Sequence, residues 1–574
     1  MKTKTADRLQ FNRKILALAL PNILSNITVP LLGIADLALA GRLNDVDAIG
    51  GIAIATTIFN LIYWNFAFLR MGTTGMTAQA KGADDRSLIG RLLAQSLVIG
   101  LGFGLLIFLF RAPLLSGIMA LLSPEASLVS YSIKYFDIVI YAAPAVLCSF
   151  ALNGWIIGMQ NTWWPMTVSI TTNAINIATS AYLVLVEGWD IQGIATGTLV
   201  AHYVGVVMLS VGAYVLYLRK GEATLPTHVR ALATGLGRFF KTNADIFLRT
   251  LLLIIVTGFF TYAGTQFGSL TLSTNTLLLQ FFTIFSYFTD GFAYAAEALV
   301  GLYYGRKDRA LLRTSVRYLM WWGVGITMMA TVLYVFGSDL FLRFLTDKPE
   351  LISHARPYMI WIYLIPVAGF LAFLWDGIYI GLTATKEMLW SMLAAVMVFF
   401  VLFFTIKTED PNHALWIAFL AYLSVRGLLQ SLLARRIKGW GKALRVSITY
   451  PSGQTKASPN TSPHFADSSP RHGPRVRCAT STPHPMQQVR PQRSTPTPSF
   501  ASSPQSRRPN SQPSPSLSKP AWGAPRALLM SPSTSISLSK TATSSAPRTT
   551  GKSTSDEGTS SYERDNLHPL SPST

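Results

Sequence analysis

The chain has 574 residues, of which 50% are hydrophobic and only 13% are charged. This balance excludes an ordinary soluble protein, in which about 25% of the residues are charged. The net charge of +21 does not indicate a nucleic-acid-binding protein, because much of the charge lies in short loops between apolar segments. Composition therefore predicts a polytopic membrane protein that contacts the lipid bilayer and no nucleic acid.

Apolar runs of about 20 residues, each long enough to cross a bilayer, recur along roughly the first 440 residues. They predict an all-α protein with twelve transmembrane helices. In chain order, the predicted spans are 15–41, 48–72, 88–112, 128–152, 163–186, 193–218, 242–266, 270–298, 315–340, 351–380, 388–406 and 414–434.

The first predicted span carries one ionisable residue, Asp36, in the stretch PLLGIADLALAGRL. A carboxylate at membrane depth costs about 3 kcal/mol or more unless it faces water, pairs with a cation or takes up a proton. Asn22 and Asn26 share its helical face, and Pro21 leaves a backbone carbonyl without its helical donor. This pattern predicts a functional carboxylate on a helix that can bend. The alternative is a side chain that reaches the outer interface near Arg42.

The fifth and sixth predicted spans carry a second group of polar residues. In TTNAINIATS, Asn173, Asn176 and Ser180 share one helical face, and Thr198 begins the hydrophobic body of the next span. Amide and hydroxyl oxygens can ligate Na⁺ or hold a protonated carboxyl group. The structural alternative is hydrogen bonding between helices, which is common for Asn and Thr in membranes.

The second half of the chain has its own candidate residues. Asp290 lies deep in its predicted span, and Asp376 opens the predicted cytoplasmic turn in WDGIYIG. Asp245 and Arg249 are one helical turn apart, which predicts a local ion pair. We expect Asp376 and the Asp245–Arg249 pair to act structurally at a cytoplasmic gate. For Asp290, a structural role and substrate contact both stay open.

The loops between spans alternate in charge. Loops on one side contain Arg219, Lys220, Arg306 and Lys307, whereas loops on the other side contain mostly acids, such as Glu187. Because cytoplasmic loops carry an excess of Lys and Arg, this bias predicts that both termini are cytoplasmic.

The sequence repeats itself at one fixed offset. NGWIIG and DGIYIG start 376 − 153 = 223 residues apart, and GADDRSL and GRKDRAL start 305 − 82 = 223 residues apart. Both pairs lie on the same predicted side of the membrane, so the two halves run in the same sense, as in transporters built from parallel repeats. The predicted organisation is an N-lobe over 1–218, a cytoplasmic linker over 219–241 and a C-lobe over 242–440.

From about residue 446 the sequence becomes rich in Ser, Thr, Pro and Arg and loses its apolar periodicity. Such a composition cannot bury enough apolar surface to fold. Residues 446–574 are therefore predicted to be a disordered tail or an out-of-frame extension. The functional alternative is a basic arm that contacts anionic lipid head groups.

The sequence contains no Walker A motif, zinc-ligand spacing, nucleophile–base arrangement or dinucleotide fingerprint. Its two cysteines, Cys148 and Cys478, lie far apart and match no metal spacing. We therefore expect neither an enzyme nor a cofactor. Without an ATP site, uphill transport would have to use an ion gradient.

Several stretches resemble the multidrug and toxic compound extrusion (MATE) family of transporters, specifically its bacterial DinF-type branch. These stretches are ADLALAGRL (35–43), FLRMGTTGMTAQAKG (68–82), NADIFLRTLLL (243–253), DGFAYAAEALVG (290–301) and WDGIYIGLTATKEM (375–388). The resemblance covers about residues 10–440, and the tail has no counterpart.

The resemblance implies a V-shaped protein of two six-helix lobes, expected to be monomeric, in the bacterial cytoplasmic (inner) membrane. Such a protein would export organic cations or drugs in exchange for H⁺ or Na⁺. It also implies that Asp36 binds the coupling cation together with Asn176 and Thr198, and that Pro21 bends the first helix. Where the family has a second aspartate, this sequence has Ser180. A Na⁺ site would be electrostatically poorer without that charge, so the sequence favours H⁺.

Two alternatives are compatible with a polytopic chain. A lipid-linked precursor flippase of the same superfamily would need a basic central cavity for pyrophosphate, whereas the buried ionisable residues here are chiefly acids. An integral membrane enzyme, such as a transferase, would need a cluster of catalytic polar residues in one membrane-facing loop. The sequence has no such cluster.

Overall fold

The computed structural model of the chain describes residues 2–43 and 47–436. The predicted tail, 446–574, and the last residues of the predicted C-lobe lie outside the described residues. Over the described residues the chain is helical and contains no strand. The α-helices are α1 Lys2–Ala40, α2 Asp47–Trp64, α3 Ala67–Gly82, α4 Arg86–Leu109, α5 Arg111–Leu122, α6 Ala126–Val139, α7 Ala143–Gly158, α8 Trp163–Leu185, α9 Ile191–Ala213, α10 Val229–Ala233, α11 Leu236–Gln266, α12 Ser269–Gly305, α13 Arg309–Leu345, α14 Pro349–Ala355, α15 Met359–Leu382, α16 Thr385–Thr405 and α17 Pro411–Leu433.

Eleven segments of the described chain are long and apolar enough to cross a membrane. Each overlaps one of the predicted spans, with α2 and α3 forming one segment and α6 and α7 another. The eighth predicted span falls on α12, which has 37 residues and is about 55 Å long. Its buried face carries polar groups, including Thr274, Asn275 and Glu297, because it packs against protein rather than lipid. With α12 included, the twelve-helix prediction is confirmed.

The backbone confirms the internal repeat. Asp85 caps α4 by accepting from the amide of Leu88 at 2.9 Å, and Asp308, 223 residues later, caps α13 by accepting from the amide of Ala310 at 3.0 Å. The residues just before these caps, Asp84 and Lys307, both have positive φ, 54° and 57°. Equivalent turns in the two lobes therefore have the same conformation.

The two lobes meet where α3 and α12 end, and we call this the closed end. A Cβ atom on Gly82 would lie 2.1 Å from the carbonyl oxygen of Leu302, and one on Gly305 would lie 2.1 Å from that of Gln79. Gly82 and Gly305 are equivalent in the repeat, as are Gln79 and Leu302, so the contact is reciprocal about a pseudo-two-fold axis. Glycine is required at both positions by this close backbone approach.

Hydrogen bonds between the lobes reinforce the closed end. The amide of Gln79 donates to the carbonyl oxygen of Gly381 at 2.8 Å, and the amide of Gln160 donates to that of Ala298 at 2.8 Å. The largest apolar core contains residues of both lobes, whereas a second core, around Phe59 and Phe136, belongs to the N-lobe alone. The lobes therefore share one core and join at the closed end, and we call the opposite end of the bundle the open end.

We expect Gly82→Ala to destabilise the contact between the lobes, because its methyl group would overlap a backbone oxygen that cannot move independently. Overpacking of this kind costs about 1–3 kcal/mol. The matched control is Gly102→Ala in α4, where an added Cβ meets nothing within 4 Å. Thermal unfolding in detergent should give a lower midpoint for Gly82→Ala than for Gly102→Ala. Equal midpoints would contradict the close contact.

Candidate functional site

Four side chains from α6, α8 and α9 form a hydrogen-bonded group in the N-lobe. We call Tyr135, Asn176, Ser180 and Thr198 the N-lobe polar cluster. The hydroxyl of Thr198 accepts from the amide of Asn176 at 3.1 Å and lies 3.3 Å from the hydroxyl of Tyr135. The hydroxyl of Ser180 donates to Asn176 Oδ1 at 3.4 Å. Three of the four predicted site residues of this region are thus in contact with one another.

The sequence places these residues together because α8 and α9 cross very closely. A Cβ atom on Gly197 would lie 2.1 Å from the hydroxyl oxygen of Ser180, so only glycine fits there. The hydroxyls of Ser180 and Thr198 also share the carbonyl oxygen of Ile194, at 3.4 and 3.1 Å. The cluster is therefore made of hydroxyl, amide and carbonyl groups held by a tight helix pair.

Asp36 lies beside this cluster on α1. Its carboxylate is half-buried and close enough to Tyr135 to act on it electrostatically. Within the described residues, the buried Oδ1 atom of Asp36 has no hydrogen-bond partner. A second carboxylate, Asp137, is close to Tyr135 along the chain but does not share its position. Residues two apart in a helix point in different directions, and Asp137 is exposed. Asp36 is thus a carboxylate free to take up a proton or a cation next to a polar cluster.

Helix α1 runs without interruption through Pro21, which lies in its interior. Proline has no amide hydrogen, so the carbonyl oxygen of Ala17 loses its helical donor. The hydroxyl of Thr162, at the start of α8, donates to this oxygen at 3.0 Å. The carbonyl group that Pro21 leaves without a helical donor is therefore bonded to a residue at the start of a neighbouring helix.

The three predicted asparagines have different surroundings. Asn22 is buried and donates within its own helix, to the carbonyl oxygen of Leu18 at 2.8 Å. Asn26 donates to the carbonyl oxygen of Tyr287 in α12 at 3.2 Å. Asn173 in α8 donates to a carbonyl oxygen of α1, that of Thr28, at 3.3 Å. Two of these side chains therefore connect α1 to helices on either side.

The C-lobe contains a buried ionic group centred on Asp376. One oxygen of Asp376 accepts from both Arg249 of α11 and Arg426 of α17, and the other accepts from the amide of Gln430 at 2.7 Å. All four residues lie inside the protein, and Arg426 is 2% exposed. Each carboxylate oxygen of Asp376 thus has a partner.

The predicted Asp245–Arg249 ion pair is wrong. The carboxylate of Asp245 instead accepts from the hydroxyl of Thr385, at the start of α16, at 2.7 Å. The side chain of Arg249 points inward to the buried Asp376, whose charge would otherwise be uncompensated. The position predicted for Asp376 is also wrong, because α15 continues to Leu382 and Asp376 lies within the helix rather than in a turn.

Asp290 lies between this ionic group and the N-lobe. It is within electrostatic range of Arg249 and Arg426 on the C-lobe side and of Arg70 on the N-lobe side. Arg70 of α3 pairs with Glu297 of α12 at 3.3 Å, so this buried pair joins the two lobes. Charged groups therefore continue from the core of the C-lobe to the boundary between the lobes.

Four residues of these groups were not singled out in the sequence: Arg70, Arg426, Tyr135 and Gln430. Arg70 and Arg426 each stand alone in an apolar segment, and that isolation was a usable signal, since an unpaired arginine in a membrane span needs a partner. Tyr135 carries no comparable signal, because tyrosines are common throughout the predicted spans. Within residues 2–43 and 47–436, no group of three or more His, Cys, Asp or Glu side chains is placed to hold a metal ion.

Curated relatives resemble this chain over most of its membrane region. DNA damage-inducible protein F of Escherichia coli (strain K12) is 35% identical over 425 residues, which is 73% of this chain and 91% of that protein. Protein DETOXIFICATION 44, chloroplastic, of Arabidopsis thaliana is 21% identical over 72% of this chain and 80% of its own length. The probable multidrug resistance protein NorM of Shewanella oneidensis is 24% identical over 52% of this chain and 65% of its own length.

Solved structures share the fold. A eukaryotic MATE transporter superposes with a TM-score of 0.65 at 18% identity, covering 76% of this chain and 98% of that chain. A Vibrio cholerae MATE transporter superposes with a TM-score of 0.66 at 17% identity, with the same coverage. The MatE family model matches twice, at residues 21–182 and 246–405, once in each lobe. The chain therefore belongs to the MatE family of multi-pass membrane transporters, in its DinF-type branch, and is not an enzyme.

Proposed function

We propose that this multidrug efflux transporter exports organic cations in exchange for protons and that Asp36 carries the coupling proton. The observation that supports this role is the position of Asp36, whose buried oxygen lacks a partner beside the N-lobe polar cluster. An ionised carboxylate there attracts a cationic substrate or a proton. Protonation cancels that attraction and lowers the free-energy cost of burying the side chain.

The proposed cycle begins with Asp36 ionised and accessible from the open end. Proton uptake by its carboxylate releases the organic cation to that side and lets α1 pack more closely against α6 and α8. Because α1 is bonded to α8 through Asn173 and to α12 of the other lobe through Asn26, its movement acts on both lobes. Separation of the closed end then exposes the site to the other side, where proton release restores the charge.

We propose H⁺ rather than Na⁺ as the coupling ion because of the atoms around Asp36. Ser180 stands where the family's second aspartate was expected, and a hydroxyl adds no negative charge. Asn176 Oδ1 accepts a hydrogen bond from Ser180, and the hydroxyl of Thr198 accepts from the amide of Asn176. A Na⁺ ion at Asp36, Asn176 and Thr198 would have to compete with these hydrogen bonds for oxygen lone pairs, and Asp36 would supply its negative charge alone.

The coupling ion can be tested with the full chain in proteoliposomes loaded with a cationic dye. We expect dye export to follow an imposed pH gradient and to be unchanged, within about twofold, when a Na⁺ gradient is added at fixed pH. The same vesicles with a protonophore are the control, since dissipating the pH gradient should stop export. Export driven by Na⁺ at equal pH would refute proton coupling.

The proposed topology follows from charge. Arg219 and Lys220 after α9, and Arg306 and Lys307 after α12, lie at the closed end. By the positive-inside rule this end faces the cytoplasm, so the open end faces outward. We accordingly propose that the chain lies in a bacterial cytoplasmic membrane with cytoplasmic termini. We also propose that it acts as a monomer of two lobes, 1–218 and 242–440, joined by the linker.

A further inference from the structure

A cavity of about 770 Å³ lies at the closed end, apart from the Asp36 site. Its walls come from three parts of the chain: α3 and α4 of the N-lobe, the ends of α12 and α13 of the C-lobe, and the linker with the start of α11. This volume is within the range of about 300–1,000 Å³ that is usual for small-molecule sites. The coupling mechanism makes no use of this cavity.

Basic side chains line the cavity without a matching number of acids. They are Arg91, Arg238, Lys307 and Arg309. Asp308 is also in the lining, but its Oδ1 atom accepts from the amides of Ala310 and Leu311 as the cap of α13. Within the described residues, none of the four basic side chains makes an ion pair, and the buried Nε atom of Arg91 has no hydrogen-bond partner. The cavity therefore carries uncompensated positive charge.

The rest of the lining is largely apolar. Met76, Leu92, Phe239 and Leu312 contribute to it from four different helices. A site with an apolar wall and several basic groups suits an anion that carries a hydrophobic chain, rather than a fully hydrated ion. The position also matches, because the ends of membrane-spanning helices lie at the level of the lipid head groups.

The linker is fixed against this cavity rather than loosely attached. The amide of Gln95 donates to the carbonyl oxygens of Leu232 and Thr234 at 2.6 and 3.1 Å. A Cβ atom on Gly90 would lie 2.0 Å from the carbonyl oxygen of Thr224, so the linker also packs tightly on α4. The wall that it forms is therefore a defined surface.

We propose that this cavity binds the phosphate head group of an anionic phospholipid, with Arg91, Arg238, Lys307 and Arg309 as its ligands and an acyl chain along the apolar wall. Basic pockets between membrane helices are a known means of binding such head groups. Because the ligands come from both lobes, a bound lipid stabilises the arrangement in which the closed end is shut. Separation of the lobes at this end would pull the ligands apart and release the lipid.

The test uses the purified full-length protein in detergent, titrated with phosphatidylglycerol, phosphatidylcholine or inorganic phosphate. Lipid retention is measured by native mass spectrometry, and stabilisation is measured by the thermal unfolding midpoint. Phosphatidylglycerol should bind and raise the midpoint. Removing two of the charges with Arg91→Gln/Arg309→Gln should weaken its binding about thirtyfold, since each basic group contributes about a fivefold gain.

The matched control is Arg219→Gln/Lys220→Gln, which removes two exposed charges at the same end that do not line the cavity. This control should bind the lipid as the unmodified protein does. If Arg91→Gln/Arg309→Gln does not fold, Arg238→Gln/Arg309→Gln replaces it, because both of its positions are exposed. Equal lipid binding by the cavity and control variants would overturn the site. Equal stabilisation by phosphatidylcholine, or by phosphate alone, would overturn the assignment to an anionic phospholipid.

Discussion

Replacing Asp36 with asparagine is expected to reduce pH-driven export of a cationic dye to the level of vesicles without protein. Asparagine keeps the shape of the side chain but can neither carry a charge nor take up a proton near neutral pH. The change should cost less than about 1 kcal/mol of folding free energy, because no cation is bonded to the Asp36 carboxylate in the described structure. Loss of export should therefore occur in a protein that folds and inserts normally.

The sign of the pH effect gives a second readout. In the unmodified protein, lowering the pH on both sides should weaken binding of a cationic dye, because protonation removes the charge of Asp36. In Asp36→Asn, dye binding should be weak and independent of pH over that range. Equilibrium binding to the detergent-purified protein can measure both.

The matched control for this variant is Asp137→Asn, the same substitution at an exposed position of α6. Its export and its pH response should equal those of the unmodified protein. If Asp36→Asn exported dye at the normal rate, or if Asp137→Asn lost export while Asp36→Asn kept it, Asp36 would not be the coupling residue.

The transmembrane helices could be predicted well from the sequence because hydrophobic length is a strong local signal. Helix α8, for example, covers Trp163–Leu185, against a predicted span of 163–186. The repeat was also visible, since the turns that contain Asp85 and Asp308 need the same capping chemistry and therefore keep similar sequences. Helix positions and capped turns could be predicted because each depends on residues that are close along the chain.

The partners of the charged residues could not be predicted in the same way. Helical spacing placed Asp245 beside Arg249. In the structure, however, Arg249 forms its buried ion pair with Asp376, which is 127 residues away along the chain. Which helices adjoin one another is decided by packing of whole surfaces, for which one sequence gives little information. Tyr135 joined the N-lobe polar cluster for the same reason, through the contact of α6 with α9.

Helix α12 illustrates a different limit. Asn275 bonds with Asn412 and Trp416 of α17, and Glu297 bonds with Arg70 of α3, so these two polar side chains have partners inside the protein. Such a helix is less apolar than one that faces lipid, although it is central to the fold. The apolar run 270–298 was enough to predict this span, but the helices that its polar residues contact depend on how the whole bundle packs, which one sequence does not show.

The largest effect on stability is expected at Asp376. Replacing it with asparagine would leave Arg249 and Arg426 buried without their counter-ion, and breaking a buried pair by removing one partner costs about 3–5 kcal/mol. The matched control is Asp339→Asn, since Asp339 and Arg356 are 3.9 Å apart and both mostly exposed. An exposed pair of this kind contributes about 1 kcal/mol or less. Thermal and denaturant unfolding of the detergent-purified variants measures the difference.

A double variant separates the charge effect from a loss of packing. In Asp376→Asn/Arg426→Gln, one of the two unpaired buried charges is removed, so Arg249 no longer faces a second cation. If uncompensated charge is the cause, this double variant should unfold at a higher temperature than Asp376→Asn, although it lacks one more native hydrogen bond. A further decrease in stability would instead show that the Arg426 bonds matter more than its charge. An Asp376→Asn midpoint equal to that of Asp339→Asn would refute the buried ionic group itself.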